Sequence, residues 1–494
     1  MDMKTSPLST LADPTLLKSD ALIGGEWSRG AARFDVRDPA TGQKLVDVAD
    51  LRADDAHRAL DAAAAAWPSW RARTAKERAG VLMKWFRLMT EHGDDLARIM
   101  TAEQGKPLAE AKGEVAYGAS FIEWFAEEGK RVYGETIPTT DNNKRYVVIK
   151  QAMGVCAAIT PWNFPIAMIT RKVGPALAAG CTIVVKPAGS TPLSALAIAE
   201  LGQRAGLPPG VLNVVTSSRS SEIGTVLCES EIVRHLSFTG STAVGRILMK
   251  QCAPTIKKLS LELGGNAPFI VFDDADLDAA AEGALASKYR NAGQTCVCAN
   301  RIYVQSSVYD AFIAKLTAKA KAIKVGNGFA AGVTQGPVID AAAMEKIEAH
   351  VKDALAKGAT LVTGGKRLGA LGSDQFYEPT VLSGATSEML CAQEETFGPV
   401  APVFRFETEA EAIALANATE FGLAAYFYSR DIGRVFRVGE ALESGMVGVN
   451  CGIISTAEVP FGGVKQSGLG REGSRHGIED YVETKYLCLG DITR

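Results

Sequence analysis

The chain has 494 residues, 47% of them hydrophobic and 22% charged, with a formal net charge of −3. That length predicts two or more domains around sizeable cores, and the composition excludes a globally disordered chain. A mildly acidic balance without a long Lys/Arg run argues against a nucleic-acid partner.

Nine cysteines, scattered apart from Cys296 and Cys298, read as free thiols in a reducing compartment. The sequence holds no His-x-x-x-His pair and no Cys-x-x-Cys, so no metal site is expected. Met1 to Ser19 lacks the apolar core of a signal peptide and contains no Arg. The longest apolar stretch, about Val173 to Val185, is interrupted by Pro175 and Gly180 and is too short to span a bilayer. A cytoplasmic protein without a membrane partner is the expectation.

From about Asp54 to Arg131 the pattern is mostly helical. Ala56 to Trp67 is Ala-rich, and Arg78 to Glu91 carries Val81, Leu82, Trp85, Leu88 and Met89 at helical spacing. Tyr133-Gly134 and Pro138 break that texture, and Arg145 to Lys150 follows as a strand. Together they predict a hairpin over Tyr133 to Ile149 that stands apart from the helices. Short apolar strands then alternate with helices: Val155 to Ile159, Cys181 to Val185, Leu212 to Val215 and His235 to Phe238, with a helix over Ser194 to Ala205. Alternation of this kind predicts a parallel sheet covered on both faces, with ligands at the carboxyl ends of its strands. Trp162, Asn163, Lys186 and Gly240 all fall just after predicted strands. Past Gly265 a second α/β pattern begins, with strands at Phe269 to Phe272, Arg301 to Val304 and Gly445 to Asn450, and a helix over Ala275 to Tyr289. The tail, Tyr481 to Leu489, alternates like a strand and could pair with another element or another subunit.

Four stretches carry chemistry. Asn291-Ala-Gly-Gln-Thr-Cys296-Val-Cys298 sets a thiol after a Gly-containing turn, the setting of a nucleophile. Cys156, Cys181 and Cys252 have no such setting and read as small buried hydrophobes. In Pro161-Trp162-Asn163-Phe164-Pro165 an amide is held in apolar company and must find a partner, either its own backbone or a developing oxyanion. In Leu261-Glu262-Leu263-Gly264-Gly265 a carboxylate between leucines is either satisfied by glycine amides or a general base with a raised pKa. The fourth stretch is Glu394-Glu395-Thr396-Phe397-Gly398-Pro399. Besides these, Gly240-Ser241-Thr-Ala-Val-Gly245 makes a Gly-x-x-x-x-Gly turn that opens a helix and favours an anion, although alone it is a weak signal. Lys186-Pro187-Ala188 offers a cation for a ribose or phosphate.

Together these motifs resemble the aldehyde dehydrogenase superfamily, over nearly the whole chain from Gly25-Glu-Trp27 to the tail. The resemblance implies an α/β fold with two Rossmann-like domains and a small β oligomerisation element. Residues 1–130 and 150–263 would form the cofactor-binding domain, 264–479 the catalytic domain, and 131–149 with 480–494 the β element. Homodimers or homotetramers would follow from exchange of edge strands. By resemblance Cys296 is the nucleophile, Asn163 the oxyanion donor and Glu262 the base that activates the deacylating water. Trp162, Asn163, Lys186, Gly240, Ser241, Leu263, Glu395 and Phe397 look like cofactor contacts, with Pro187, Ala188 and Gly245 in the same motifs.

Within that superfamily the closest resemblance is to succinate-semialdehyde dehydrogenases, through Ile169-Thr-Arg171-Lys, Tyr289 to Cys298 and Pro460 to Ser474. An aldehyde with a carboxylate at its far end needs a charged anchor, and Arg171 and Arg290 can supply a guanidinium fork. Ser455 could add a hydroxyl. Glutarate semialdehyde, one methylene longer, or a broader aldehyde range is the near alternative. A non-redox thioester hydrolase is the distant one. NAD-selective members often carry Glu three residues after the motif lysine; here that position is Gly189, followed by Ser190. NADP is therefore expected to be accepted and preferred over NAD. Cys298, two residues from Cys296, reads either as an oxidative switch through a strained disulfide or as packing.

Overall fold

The computed structural model describes residues 6–491. Four helices, Ala53–Arg71, Ala75–Glu91, Gly93–Gln104 and Leu108–Glu128, form the expected helical block. Local chemistry sets their limits. Thr74 accepts from Glu77 N at 3.3 Å while the Glu77 carboxylate accepts from Thr74 N at 2.7 Å, a reciprocal cap. Gly105, at φ 92°, ends the third helix. Among the described residues no helix is long and apolar enough to cross a membrane.

The first sheet has eight strands in the spatial order Glu26–Ser28, Ala21–Ile23, Leu212–Val214, Thr182–Lys186, Val155–Ile159, Val233–Thr239, Lys258–Glu262, Gly468–Leu469. The five from Leu212–Val214 to Lys258–Glu262 run parallel. The chain enters at Val155–Ile159, adds strands on one side and then returns to add them on the other. The strand order therefore reverses between Val155–Ile159 and Val233–Thr239, where a crevice opens at the carboxyl ends. Ile159 sits in register with Lys186 on one side and Phe238 on the other. The loops that follow, beginning at Thr160, Pro187 and Gly240, thus start from one row.

The second sheet runs Thr360–Thr363, Thr380–Ser383, Val400–Phe406, Ala299–Gln305, Ala267–Val271, Ala424–Tyr428, Met446–Val449, with only the first pair antiparallel. The helix predicted from Ala275 begins at Leu277, because Asp276 accepts the N–H groups of Asp278 and Ala279 at 3.1 Å. The tail strand Val482–Leu489 pairs along its full length with Arg145–Ala152, which in turn pairs with Glu135–Ile137. That pairing answers the open question of its partner within the chain; residues 492–494 of the expected β element lie outside the described residues. The short strands Ala21–Ile23, Glu26–Ser28, Arg33–Arg37 and Lys44–Ala49 carry too little alternation to have been predicted.

Gly468 joins the distant end of the chain to the strand that ends in Glu262. Its φ is 140°, and a Cβ there would stand 1.8 Å from the Leu261 carbonyl oxygen. Gly468→Ala should therefore push the two strands apart. The expected cost is about 1–3 kcal/mol, read as a lowered thermal midpoint.

Candidate active site

The loop after Val155–Ile159 is held from below by the helical block. Lys106, itself buried, donates to the Asn163 carbonyl at 2.8 Å and pairs with Glu114. Glu114 in turn accepts the N–H of Ile166 at 3.0 Å. The Asn163 side chain donates to the Gln294 carbonyl at 3.0 Å. That bond uses one of its two amide protons and ties the loop of the first sheet to the segment preceding Cys296. Sequence reasoning passed over Lys106 and Glu114, since a Lys and a Glu eight residues apart in a helical stretch look like solvated charges.

Ahead of Cys296 the backbone takes a rare path. Asn291, Ala292 and Gly293 have φ of 52°, 56° and 75°, three left-handed residues in succession. Such a run persists only when its surroundings over-determine it. Asn291 N donates to Glu110 at 2.9 Å, its side-chain N–H to the Asn163 carbonyl at 3.0 Å, and its side-chain oxygen accepts from Gln104 at 3.0 Å. Gln294 donates to the Asn291 carbonyl and accepts from Ile339 N, each at 2.9 Å. A Cβ on Gly293 would lie 2.2 Å from the Gly398 carbonyl oxygen, so only glycine fits. This knot brings the half-exposed Cys296 to the wall of a cleft of about 510 Å³.

Trp162, Asn163, Gly240, Ser241, Leu263, Cys296, Glu395 and Phe397 line that cleft. The Trp162 and Phe397 rings meet edge to face, 5.7 Å between centroids, with Phe397 held at φ 55°. Ser241 caps helix Thr242–Cys252, accepting from Val244 N at 3.4 Å. A side chain on Gly245 would collide with Leu263 at 2.5 Å, so this glycine lets Leu263 approach the cleft wall. Glu395 accepts from Gly265 N at 3.2 Å, and burial pushes its carboxyl up to about 7, with Lys346 and Lys288 pulling it back.

Glu262, Arg171, Arg290, Ser455, Lys186, Pro187, Ala188, Gly189, Ser190, Gly245 and Cys298 do not line the cleft. Glu262 ends its strand fully buried, and neither carboxylate oxygen has a hydrogen-bond partner. Burial holds its carboxyl well above the usual range; the Glu472 charge adds to this, while Arg171 and Lys172 oppose it. A Cβ on Gly462 would come within 2.9 Å of a Glu262 oxygen. Burial also pushes the Cys296 thiol up to about 12, against the pull of Arg171 and Arg290. At rest the Cys296 thiol is therefore neutral at pH 7.

Arg171 departs from a free anchor. It is buried and ion-paired with Glu472, which also holds Lys172. Its guanidinium lies 4.3 Å over the Phe461 ring, and its two terminal nitrogens have no hydrogen-bond partner. Arg290 lies 5.3 Å over the Phe164 ring with no ion pair among the described residues. Ser455 is half-buried in the loop after Met446–Val449, without a hydrogen bond among the described residues. Lys186 is buried and donates to Ser220 at 2.6 Å; with no carboxylate to oppose it, burial lowers its pKa to about 8. Ser220, at the start of helix Ser220–Glu229, is a further neighbour that the sequence reading missed. A Cβ on Gly189 would meet only ordinary contacts, the Ser217 carbonyl at 3.4 Å and the Phe34 ring at 4.0 Å, so a side chain can begin there without a clash. The Cys298 thiol donates to the carbonyls of Ser287 and Lys288 at 2.9 and 3.0 Å; any disulfide would first break both bonds.

A family model described as the aldehyde dehydrogenase family matches residues 27–487. The chain belongs to the aldehyde dehydrogenase family. A succinate-semialdehyde dehydrogenase [NADP(+)] of Escherichia coli is 63% identical over 482 residues, 97% of this chain and 99% of the relative. A glutarate-semialdehyde dehydrogenase of Pseudomonas aeruginosa is 62% identical, covering 98% of this chain and 100% of that one. The crystal structure of a succinate-semialdehyde dehydrogenase from Burkholderia pseudomallei superposes with a TM-score of 0.96 at 65% identity, over 97% of this chain and 100% of that one. The α/β architecture is thus that of an aldehyde dehydrogenase, and the chain is an aldehyde oxidoreductase.

The buried Lys106–Glu114 pair carries a testable cost. Glu114→Gln leaves an unpaired ammonium beneath the Asn163 loop. A loss of about 3–5 kcal/mol is expected in chemical denaturation.

Proposed function

We propose that this enzyme oxidises succinate semialdehyde to succinate, using NADP in preference to NAD. The observation that carries this reading is the pair of guanidiniums, Arg171 and Arg290, each lying over a phenyl face, whose fields both reach the Cys296 thiol. Arginine on an aromatic face keeps its charge and offers a planar fork to a carboxylate. An aldehyde tethered to that carboxylate by two methylenes would present its carbonyl carbon to Cys296. The first relative's name supports both substrate and cofactor.

The residues present fit a nicotinamide dinucleotide. Lys186 is a buried cation without a counter-ion, Gly240 and Ser241 open a helix, and Glu395 offers a carboxylate to a ribose. When bound, such a cofactor supplies the hydride acceptor. On the protein's side, Cys296 gives its proton to solvent water and its sulfur adds to the aldehyde carbon. The developing oxyanion takes the free Asn163 amide proton and the Cys296 backbone N–H. Once the bound carbon is at the thioester level, Glu262 takes a proton from water, the hydroxide attacks, and succinate leaves as the Cys296 sulfur is restored.

A second reading, oxidation of glutarate semialdehyde, is favoured by the similarly close P. aeruginosa relative. One methylene discriminates by only about 1–3 kcal/mol.

Reduced-nicotinamide formation from succinic semialdehyde with NADP and NAD in parallel tests the proposal; an NAD efficiency tenfold above NADP would refute the cofactor part. Cys296→Ala should abolish turnover. Glu262→Gln should keep a single-turnover burst but slow steady turnover by about 10²–10⁴-fold. Gly189→Glu, whose Cβ meets no clash, should move preference towards NAD, seen in the ratio of the two kcat/KM values. Because burial raises the Cys296 thiol to about 12 and its thiolate is the attacking form, kcat/KM should keep climbing with pH from neutrality upward, without a plateau before about 10, while Glu262, which acts after the hydride has left, should show in kcat. A flat profile would contradict the assignment.

A further inference from the structure

Beside the two arginines stands a third polar group that no motif singles out. Tyr117 lies on helix Leu108–Glu128. Glu114, one turn earlier, accepts the N–H of Ile166, and a Cβ on the neighbouring Gly118 would stand 2.6 Å from the Ile166 side chain. These two contacts seat this face of the helix against the start of helix Ala167–Ala179, which carries Arg171. The Tyr117 ring packs edge-on against Phe121, 4.9 Å between centroids. Its hydroxyl oxygen is buried next to the Arg171 guanidinium, and neither it nor the terminal nitrogens of Arg171 makes a hydrogen bond of good geometry. Buried polar atoms are nearly always paired, so several orphans in one place mark a site built for a polar ligand. Burial pushes this phenol up, with the Glu472 charge adding to it, against the pull of Arg171, which also touches the hydroxyl, and of Arg290; the hydroxyl is a neutral donor beside both guanidiniums.

We propose that Tyr117 is a specificity-determining residue whose hydroxyl donates a third hydrogen bond to the remote carboxylate of the substrate, beside Arg171 and Arg290. The inference rests on the function proposed above. Two cations alone attract any anion, but a fixed neutral donor at a set place favours a carboxylate that reaches it. An uncharged aldehyde leaves all three groups unpaired and is penalised accordingly.

The test compares wild type, Tyr117→Phe and Arg290→Gln on succinate semialdehyde and on butanal, which has the same chain length and no carboxylate. Tyr117→Phe keeps the ring and its contact with Phe121. Its kcat/KM for the semialdehyde should fall roughly ten- to hundredfold, chiefly through KM, as befits a lost hydrogen bond to a charged group. Its butanal value should hold or rise, since the variant leaves no hydroxyl unpaired against the butanal methyl group. Equal losses on both substrates, or no loss on either, overturn the proposal. If Arg290→Gln loses the preference for the semialdehyde while Tyr117→Phe keeps it, the proposed function stands and the tyrosine assignment alone fails. If wild type shows no preference for the semialdehyde, both fail.

Discussion

The amide of Asn163 is the bond on which the site depends. It joins a loop rooted in one parallel sheet to the segment that delivers a thiol from the other, at 3.0 Å to the Gln294 carbonyl. A second bond, from the Asn291 side chain to the Asn163 carbonyl at 3.0 Å, reinforces the same joint. The bond is placed by buried side chains from a third region: Lys106 on the Asn163 carbonyl, Glu114 on Ile166, and Gln104 and Glu110 on Asn291. A block of helices that contributes nothing to the cleft wall therefore fixes where its reactive atoms stand. Buried polar networks act this way only when their members are paired, since a half-satisfied one costs more than an apolar core.

The same loop leaves certain atoms deliberately unpaired. The second proton of the Asn163 amide, both oxygens of Glu262 and the ends of Arg171 lack partners, although each lies in a region where pairing is otherwise close to complete. Stability would be higher with partners for all of them. Their concentration around Cys296 is how a fold stores binding capacity for a guest that arrives with its own oxygens. Charge is distributed on the same logic. Glu472 pairs with both Arg171 and Lys172, and burial together with the Glu472 charge outweighs the pull of the two cations on the Glu262 carboxyl.

Much of this was legible in the sequence. The strand–helix alternation from Val155 onward located the first sheet to within a residue or two, because parallel strands buried on both faces read as unbroken apolar runs. The four motifs marked the residues of the cleft wall. Less legible were features made by long-range contact. Lys106 and Glu114 become a buried pair only once helix Leu108–Glu128 packs on the Asn163 loop. Strand Lys258–Glu262 did alternate, but the motif it carries drew the reading away from its secondary structure. The pairing of Gly468 with Glu262, across some two hundred residues, has no local signature at all. Arg171 stood out in the sequence as a possible anchor for a carboxylate, but its ion pair with Glu472 is made only by the fold.

Burial that raises both reactive groups governs how the resting site behaves. A thiol pushed up to about 12 is a poor nucleophile and a poor target for oxidation, since both reactions run through the thiolate. A carboxyl raised by burial is likewise a reluctant base. The penalty that raises both is desolvation, and desolvation can be offset by whatever fills the cleft with polar or charged groups. Reactivity is then tied to occupancy. The enzyme does not need a permanently activated cysteine when the groups that lower the barrier are brought by the ligands that are to react.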